Sequence, residues 1–319
     1  MIEITPWHWA GFIMFILVCI AVDMGAFHRR ARAVAFREAL LWSGLWFGLA
    51  LLFAGLLGTV RNREESTQFV TAYLLELSLS LDNILVIGLV FAAFNVPAEY
   101  QRRVLVLGLL GVLAMRGAMI GVGVALVEHF QWVLYVFGAF LIVTGAKTFF
   151  AKPRPVEPER NPIIRLARKL FPIAPSFDGQ KFFTRINGTR ALTPLMLVLS
   201  LVETSDLIFA ADSVPAVFAV TQQAFIVFTS NVFAVLGLRS LYFVLAEAIG
   251  RFHHLKTGLA VVLVFVGVKM LLDPHEHAPL WFQHKIPTTA SLLGVALIVA
   301  AAIGLSLAAP PREKTANQR

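Results

Sequence analysis

The chain has 319 residues, 58% of them hydrophobic and 14% charged, with a mean hydropathy of +0.77. A soluble globular protein carries about 25% charged residues, so this composition excludes that class and predicts a polytopic helical membrane protein. The formal charge of +8 lies in short connections beside apolar segments. That is the pattern of membrane topology and anionic lipid, so membrane lipid is an expected partner and nucleic acid is not.

Windows of about 19–20 apolar residues mark spanning helices. They predict an all-α membrane domain over 1–319 with nine spans, at 7–27, 38–60, 68–94, 103–127, 130–150, 191–219, 225–250, 256–273 and 286–308. No basic region precedes the first apolar run and no small-residue cleavage site follows it, so it reads as a retained helix and not a signal peptide. It holds the only cysteine, Cys19, which leaves no internal disulfide or thiolate cluster. Asp23, near the inner end of that span, reads equally as a gate or as an interface cap.

The connections alternate in charge. The first carries Arg29, Arg30, Arg32 and Arg37, the third Arg102 and Arg103, and the seventh Arg251 and Lys256. The fifth, a basic linker over 151–190, includes Lys152, Arg165, Arg168, Lys169, Arg185 and Arg190. Even-numbered connections are acidic, mixed or uncharged. By the positive-inside rule the odd ones are cytoplasmic, which puts the N-terminus in the periplasm and the C-terminus in the cytoplasm. Pro153, Pro155, Pro158 and Pro162 exclude one continuous helix in the linker, and a short amphipathic helix is expected near Ile163–Phe171.

Polar anchors repeat along the chain. Glu76 and Asp82-Asn83 parallel Asp206 and Asp212-Ser213 at an offset of 130. Arg116 parallels Arg239 at an offset of 123, and Gly145-Ala-Lys147 parallels Gly267-Val-Lys269 at 122. Two three-helix units result, 68–150 and 191–273, with 286–308 as an extra C-terminal helix. Their first helices run in opposite directions, so the repeat is an inverted three-plus-three one, a pattern of transporters with a site near the midplane.

Carboxylates inside hydrocarbon cost at least about 2.5–3.5 kcal/mol each and are usually functional. Five lie in two spans: Glu76, Asp82, Glu203, Asp206 and Asp212. Glu76, Ser80 and Asn83 share one helical stripe, as do Asp206, Ala210 and Ser213, with Glu203 one turn before. Asp82 and Asp212 are rotated about 100° away. Pro215 is expected to loosen the helix near Asp212 and let it turn inward. Arg116 and Arg239 balance charge, but five acids against two arginines leave a formal −3. A divalent cation or several protons would neutralise the remainder. The candidate ligands, Glu76, Asp82, Asn83, Glu203, Asp206, Asp212 and Ser213, all present oxygen, which suits Mg²⁺, Ca²⁺ or Mn²⁺ and argues against Cu(I) and Zn²⁺.

The remaining signals are weaker. His275, Glu276, His277 and His284 read more readily as solvated loop residues than as ligands. The six tryptophans mostly fit an aromatic belt, and Gly111, Gly117, Gly121 and Gly123 fit close helix packing. There is no Walker loop, nucleophile elbow or HExxH, so neither an enzyme nor a resident cofactor is expected.

The stretches AVDMGAFHRRARAVAFREALLWSGLW, ELSLSLDNILVIGLVF and ETSDLIFAADSVPAVFAVT resemble the TerC/Alx family of bacterial integral membrane proteins, most of all its Alx-type members. The resemblance runs from about Asp23 to Lys269 and implies an architecture similar to LysE-type exporters. It implies a Mn²⁺ exporter of the bacterial inner membrane whose acidic positions fall on Glu76, Asp82, Glu203, Asp206 and Asp212, with Mn²⁺ as the transported ion. Glu203 is a ligand or a proton carrier in this reading. The alternative is a membrane factor that transports nothing, acting in protein insertion or in a tellurium-resistance complex. Self-association stays open.

Overall fold

The computed structural model describes residues 4–25, 35–150, 162–186, 188–245, 255–274, 283–284 and 286–308. The helices are α1 (Pro6–Gly25), α2 (Phe36–Val60), α3 (Arg63–Ala93), α4 (Ala98–His129), α5 (Val133–Phe150), α6 (Pro162–Leu170), α7 (Pro194–Phe218), α8 (Ala224–Leu245), α9 (Leu255–Leu272) and α10 (Thr288–Ala308). Seven of them, α2, α3, α4, α5, α7, α8 and α10, are long and apolar enough to cross a membrane among the described residues. Each of the nine segments expected from hydropathy falls on a helix. The tenth, α6, has nine residues and is the short amphipathic helix expected in the linker.

Sequence reading missed a hairpin. Strands β1 (Phe183–Ile186) and β2 (Thr189–Leu192) pair antiparallel. They are too short to carry a clear alternating pattern. The signal that was present is the Asn187-Gly188 dipeptide, a hairpin-turn pair, with Gly188 at φ +81°.

Local chemistry sets several helix ends. Asn62 caps α3 by accepting from the Glu65 amide at 2.7 Å, and Arg61 clamps the Glu65 carboxylate at 2.6 Å and 2.9 Å. Those contacts satisfy an otherwise orphaned donor and place an anion in the first turn. Asn95, at φ +50°, lets the chain turn between α3 and α4. Pro194 opens α7, where its missing N–H costs nothing. Pro215 does not break α7, which is continuous to Phe218. The proline has no N–H for the Ala211 carbonyl, so one rung of the helix is missing beside Asp212 while the helix runs on.

The core is built by crossed pairs: α3 packs on α8, α4 on α7, α3 on α7, and α5 on α9. An aromatic cluster joins α1, α2, α3 and α8, with Phe12, Phe53, Phe69, Phe225 and Phe233 in mutual ring contact. Trp46 belongs to this core at 2% exposure, not to an interfacial belt, whereas Trp7 and Trp132 are exposed. Leu41, Leu52, Leu56 and Val60 leave the outer side of α2 apolar and exposed, as expected of a surface that faces lipid.

Helices α5 and α9 meet in a close antiparallel seam. A Cβ on Gly138 would stand 3.0 Å from the Gly267 carbonyl, and one on Gly267 would stand 2.7 Å from the Gly138 carbonyl. Further along, a Cβ on Gly145 would stand 2.8 Å from the Ala260 carbonyl. Small residues let the backbones meet where hydrophobic force between helices is weak. The four glycines expected to pack α4 divide in role: Gly123 faces the Phe218 ring, Gly117 faces Phe228, Gly111 faces the Glu203 carboxylate, and Gly121 faces nothing within 4 Å. Accordingly, Gly267→Leu should lower the thermal stability of the detergent-solubilised protein by about 1–3 kcal/mol, the usual cost of overpacking. Gly121→Leu should leave it unchanged, as read by size-exclusion recovery after stepwise heating.

Candidate functional site

One buried polar network ties four helices together at mid-span. Arg116 on α4 forks onto Asp206 of α7, with Nε donating to Oδ2 at 3.0 Å and Nη2 to Oδ1 at 3.0 Å. Its Nη1 donates to Glu76 Oε2 of α3 at 2.8 Å and to Ser213 Oγ of α7 at 3.4 Å. Asn83 Nδ2 on α3 donates to Asp206 Oδ1 at 2.8 Å, and Asn231 Nδ2 on α8 donates to Glu76 Oε1 at 2.7 Å. Arg116, Glu76, Asn83, Asp206, Ser213 and Asn231 are all nearly inaccessible. The helical stripe read from sequence is the reason: Glu76, Ser80 and Asn83 turn one face of α3 inward, while Asp206, Ala210 and Ser213 do so on α7.

The five carboxylates do not converge. Among the described residues no three His, Cys, Asp or Glu side chains group as a ready metal site. Glu76 and Asp206 are instead bridged by the Arg116 guanidinium between them, whose one positive charge offsets one of their two negative charges. Asp82 and Asp212, rotated off the stripe, line a separate cavity of about 40 Å³ with Ser80, Asn83, Arg116 and Ser213. Thr148 of α5 and Leu259 and Leu263 of α9 close its far side. A polar space of this size holds a few waters or one small cation. Because α7 stays helical through Pro215, Asp212 reaches the cavity from the edge of its helix and not through a break in it.

A second cavity, also of about 40 Å³, lies on the other side of Asn83 and Asp206. Arg239 and Tyr242 of α8 and Gly108 and Val112 of α4 line it. Arg239 therefore shares a cavity wall with Asp206, while the fork onto Asp206 comes from Arg116. Glu203 lines neither cavity. Its half-buried carboxylate rests on the bare Cα of Gly111 in α4, where any Cβ would collide with it. The Asp23 side chain, His275, Glu276 and His277 lie outside the described residues. His284 is described, and its amide donates to the Leu272 carbonyl at 3.0 Å.

Asn231 is the network member that sequence reading missed. Carboxylates are the conspicuous polar groups of the spans, and α8 has none. A signal was there: Thr229, Ser230 and Asn231 form a polar triplet inside an apolar span, and all three are buried. Asn231 spends its amide N–H on Glu76, while its Oδ1, like Ser80 Oγ, has no hydrogen-bond partner among the described residues. Counting Glu76, Asp206 and Arg116, the network carries a formal charge of −1, with further acids in the adjoining cavity. An arrangement of this kind concentrates negative potential and acceptor oxygens around a space of cation size.

Comparison with known proteins places the chain among relatives. The family model described as "Integral membrane protein TerC family" matches residues 61–314. A Myxococcus xanthus protein called "Uncharacterized membrane protein STKORF319" is 49% identical over 294 residues, covering 92% of each chain. A Rickettsia bellii membrane protein is 37% identical over 287 residues, covering 90% of this chain and 95% of that one. The Escherichia coli K12 protein named "Putative membrane-bound redox modulator Alx" is 45% identical over 285 residues, covering 86% of this chain and 89% of that one. No solved structure matches. With the family model matched over residues 61–314 and relatives similar along almost their full length, this chain belongs to the TerC family of integral membrane proteins.

Proposed function

We propose that the protein exports divalent cations, manganese foremost, across the bacterial inner membrane by alternating access through the acid-lined centre of the bundle. The observation that carries this reading is the placement of Asp82 and Asp212 on a small polar cavity beside a buried network that already holds two more carboxylates. Stability alone gives little reason to bury acids in a span beyond the number the arginines can balance. The oxygen-only donors favour Mg²⁺, Ca²⁺ or Mn²⁺, and the choice of manganese among them rests on the family resemblance.

In this reading nine helices cross the membrane, α6 does not, and the N-terminus is periplasmic. The three-helix units α3–α5 and α7–α9 form a LysE-like inverted repeat. The α5–α9 seam supports the repeat: an offset of 122 carries Gly138 onto Ala260 and Gly145 onto Gly267, so each of its two tight crossings maps onto the other. Packing is exchanged in the same way, since α3 lies on α8 as α7 lies on α4.

The residues divide the work. Asp82 and Asp212, with Ser80 and Ser213 beside them, receive the cation in the cavity. Arg116 is a tethered positive charge that occupies Glu76 and Asp206 while no cation does, which lets the empty carrier change state without a bare charge in hydrocarbon. Glu203 stands apart as a ligand in another state or as a proton carrier. The name of the Escherichia coli relative points to redox control. With Cys19 as its only cysteine the chain has no internal thiol pair, so a bearing on redox state would come through the ion that it moves.

Asp82→Asn and Asp212→Asn keep size while removing charge. Each should abolish Mn²⁺ flux in proteoliposomes and raise manganese in complemented cells while the protein still inserts, whereas His277→Ala should do neither. Normal flux in either Asn variant would remove that residue from the path.

Arg116→Gln should cost about 3–5 kcal/mol of stability, because it strands two buried carboxylates. Adding Asp206→Asn should recover part of that loss. Thermal unfolding of the single and double variants measures the coupling, and additive losses would mean that the fork contributes nothing as a pair.

A further inference from the structure

We propose that α6 and the β1–β2 hairpin form a docking surface for anionic phospholipid, rigidly connected to the start of α7. This inference stands apart from the cation reading. Helix α6 is amphipathic along its whole length. Leu166 and Leu170, at i and i+4, are 55% and 63% exposed and continue into Phe171 at 47%. Arg165, Arg168 and Lys169 occupy the opposite face and are also exposed. An exposed apolar stripe backed by cations is the pattern of a helix lying in the interface of a negatively charged bilayer.

Its place in the fold fits that plane. Ile164, 1% exposed, anchors α6 in a cluster with Ile87 and Phe91 near the end of α3, Leu105 near the start of α4, and Leu195 and Val198 at the start of α7. This is one end of the bundle, the level at which spanning helices leave the hydrocarbon. The segments 98–103 and 162–193 there hold eight basic residues against two acidic ones, so the patch has the charge that anionic headgroups complement.

The hairpin adds a more specific sign. Arg185 and Arg190 are direct cross-strand partners, and both are exposed. Like charges placed opposite each other destabilise a hairpin, and a phosphate between two guanidinium groups reverses that effect. Phe183, 56% exposed, lies on the same strand. The occupant is a lipid and not a free anion, because the paired arginines adjoin an apolar surface that soluble phosphate leaves uncovered.

The surface cannot shift without α7. Leu192 donates to the Pro172 carbonyl at 2.9 Å and accepts from the Ala174 amide at 2.8 Å, which joins the segment after α6 to β2. Thr193, the next residue, donates its hydroxyl to the Lys181 carbonyl at 2.7 Å, and α7 begins at Pro194. Asp206 and Asp212 ride on that same helix.

The full chain, reconstituted in vesicles of phosphatidylcholine with or without phosphatidylglycerol, provides the test. Amide hydrogen exchange in α6 and β1–β2 should slow several-fold when phosphatidylglycerol is present, and the slowing should disappear at high salt. The double variant Arg185→Glu/Arg190→Glu keeps the like-charge pairing of the hairpin but inverts its sign, and it should lose most of the lipid effect. Equal exchange of the wild type in the two kinds of vesicle would overturn the proposal. So would equal slowing by inorganic phosphate added to phosphatidylcholine vesicles, or an undiminished lipid effect in the variant.

Discussion

Everything at the centre of this bundle depends on one guanidinium. Arg116 bridges α3 and α7 by binding Glu76 and Asp206, and all three side chains are buried. Buried charges are tolerated only in close, well-hydrogen-bonded company, and here the company is nearly complete. The fork on Asp206 uses two donors, Glu76 takes a third, and Asn83 and Asn231 fill remaining acceptor sites. A lysine carries the same charge but cannot make a planar fork. The position therefore selects arginine for its geometry, and the four helices are held at the spacing that the fork dictates.

That constraint explains which parts of the architecture could be read from sequence. Hydropathy located the spanning helices, because a run of apolar residues has few alternatives in a membrane. Helical phase separated Glu76, Asn83, Asp206 and Ser213, which turn inward, from Asp82 and Asp212, which reach a cavity at the edge. What phase could not supply was partnership. Nothing in the numbering says that Arg116 binds both Glu76 and Asp206, or that Asn231 completes Glu76 from a helix with no acid near it. Pro215 leaves α7 continuous, so Asp212 reaches its cavity without a break in the helix. Trp46, assigned by type to an aromatic belt, is instead core. Amphipathic α6 was legible because its charges and leucines alternate at helical period. The hairpin was not, because four-residue strands carry almost no pattern.

Two helices carry the acidic residues, and they are fastened differently. Helix α3 is capped by Asn62 and Glu65 at one end and turns at Asn95 at the other. By contrast, α7 is fastened at its start to the hairpin and through it to α6, while Lys269 of α9 donates to the Ala219 carbonyl at its far end at 2.7 Å. A cation at a helix C-terminus meets the negative end of the dipole and a carbonyl left without an intrahelical donor. Helix α7 is thus gripped at both ends by different parts of the chain, and a displacement at either grip reaches Asp206 through a continuous helix.

The seam between α5 and α9 has a further consequence. Contacts that exchange into one another are what a two-fold axis produces between identical partners. In a true homodimer both crossings would be built from the same two residues and could change only together. Inside one chain they are free to diverge, and they have: one crossing sets glycine against glycine, while the other sets Gly145 against Ala260. A single methyl group thus breaks a symmetry that a pair of separate subunits would be obliged to keep.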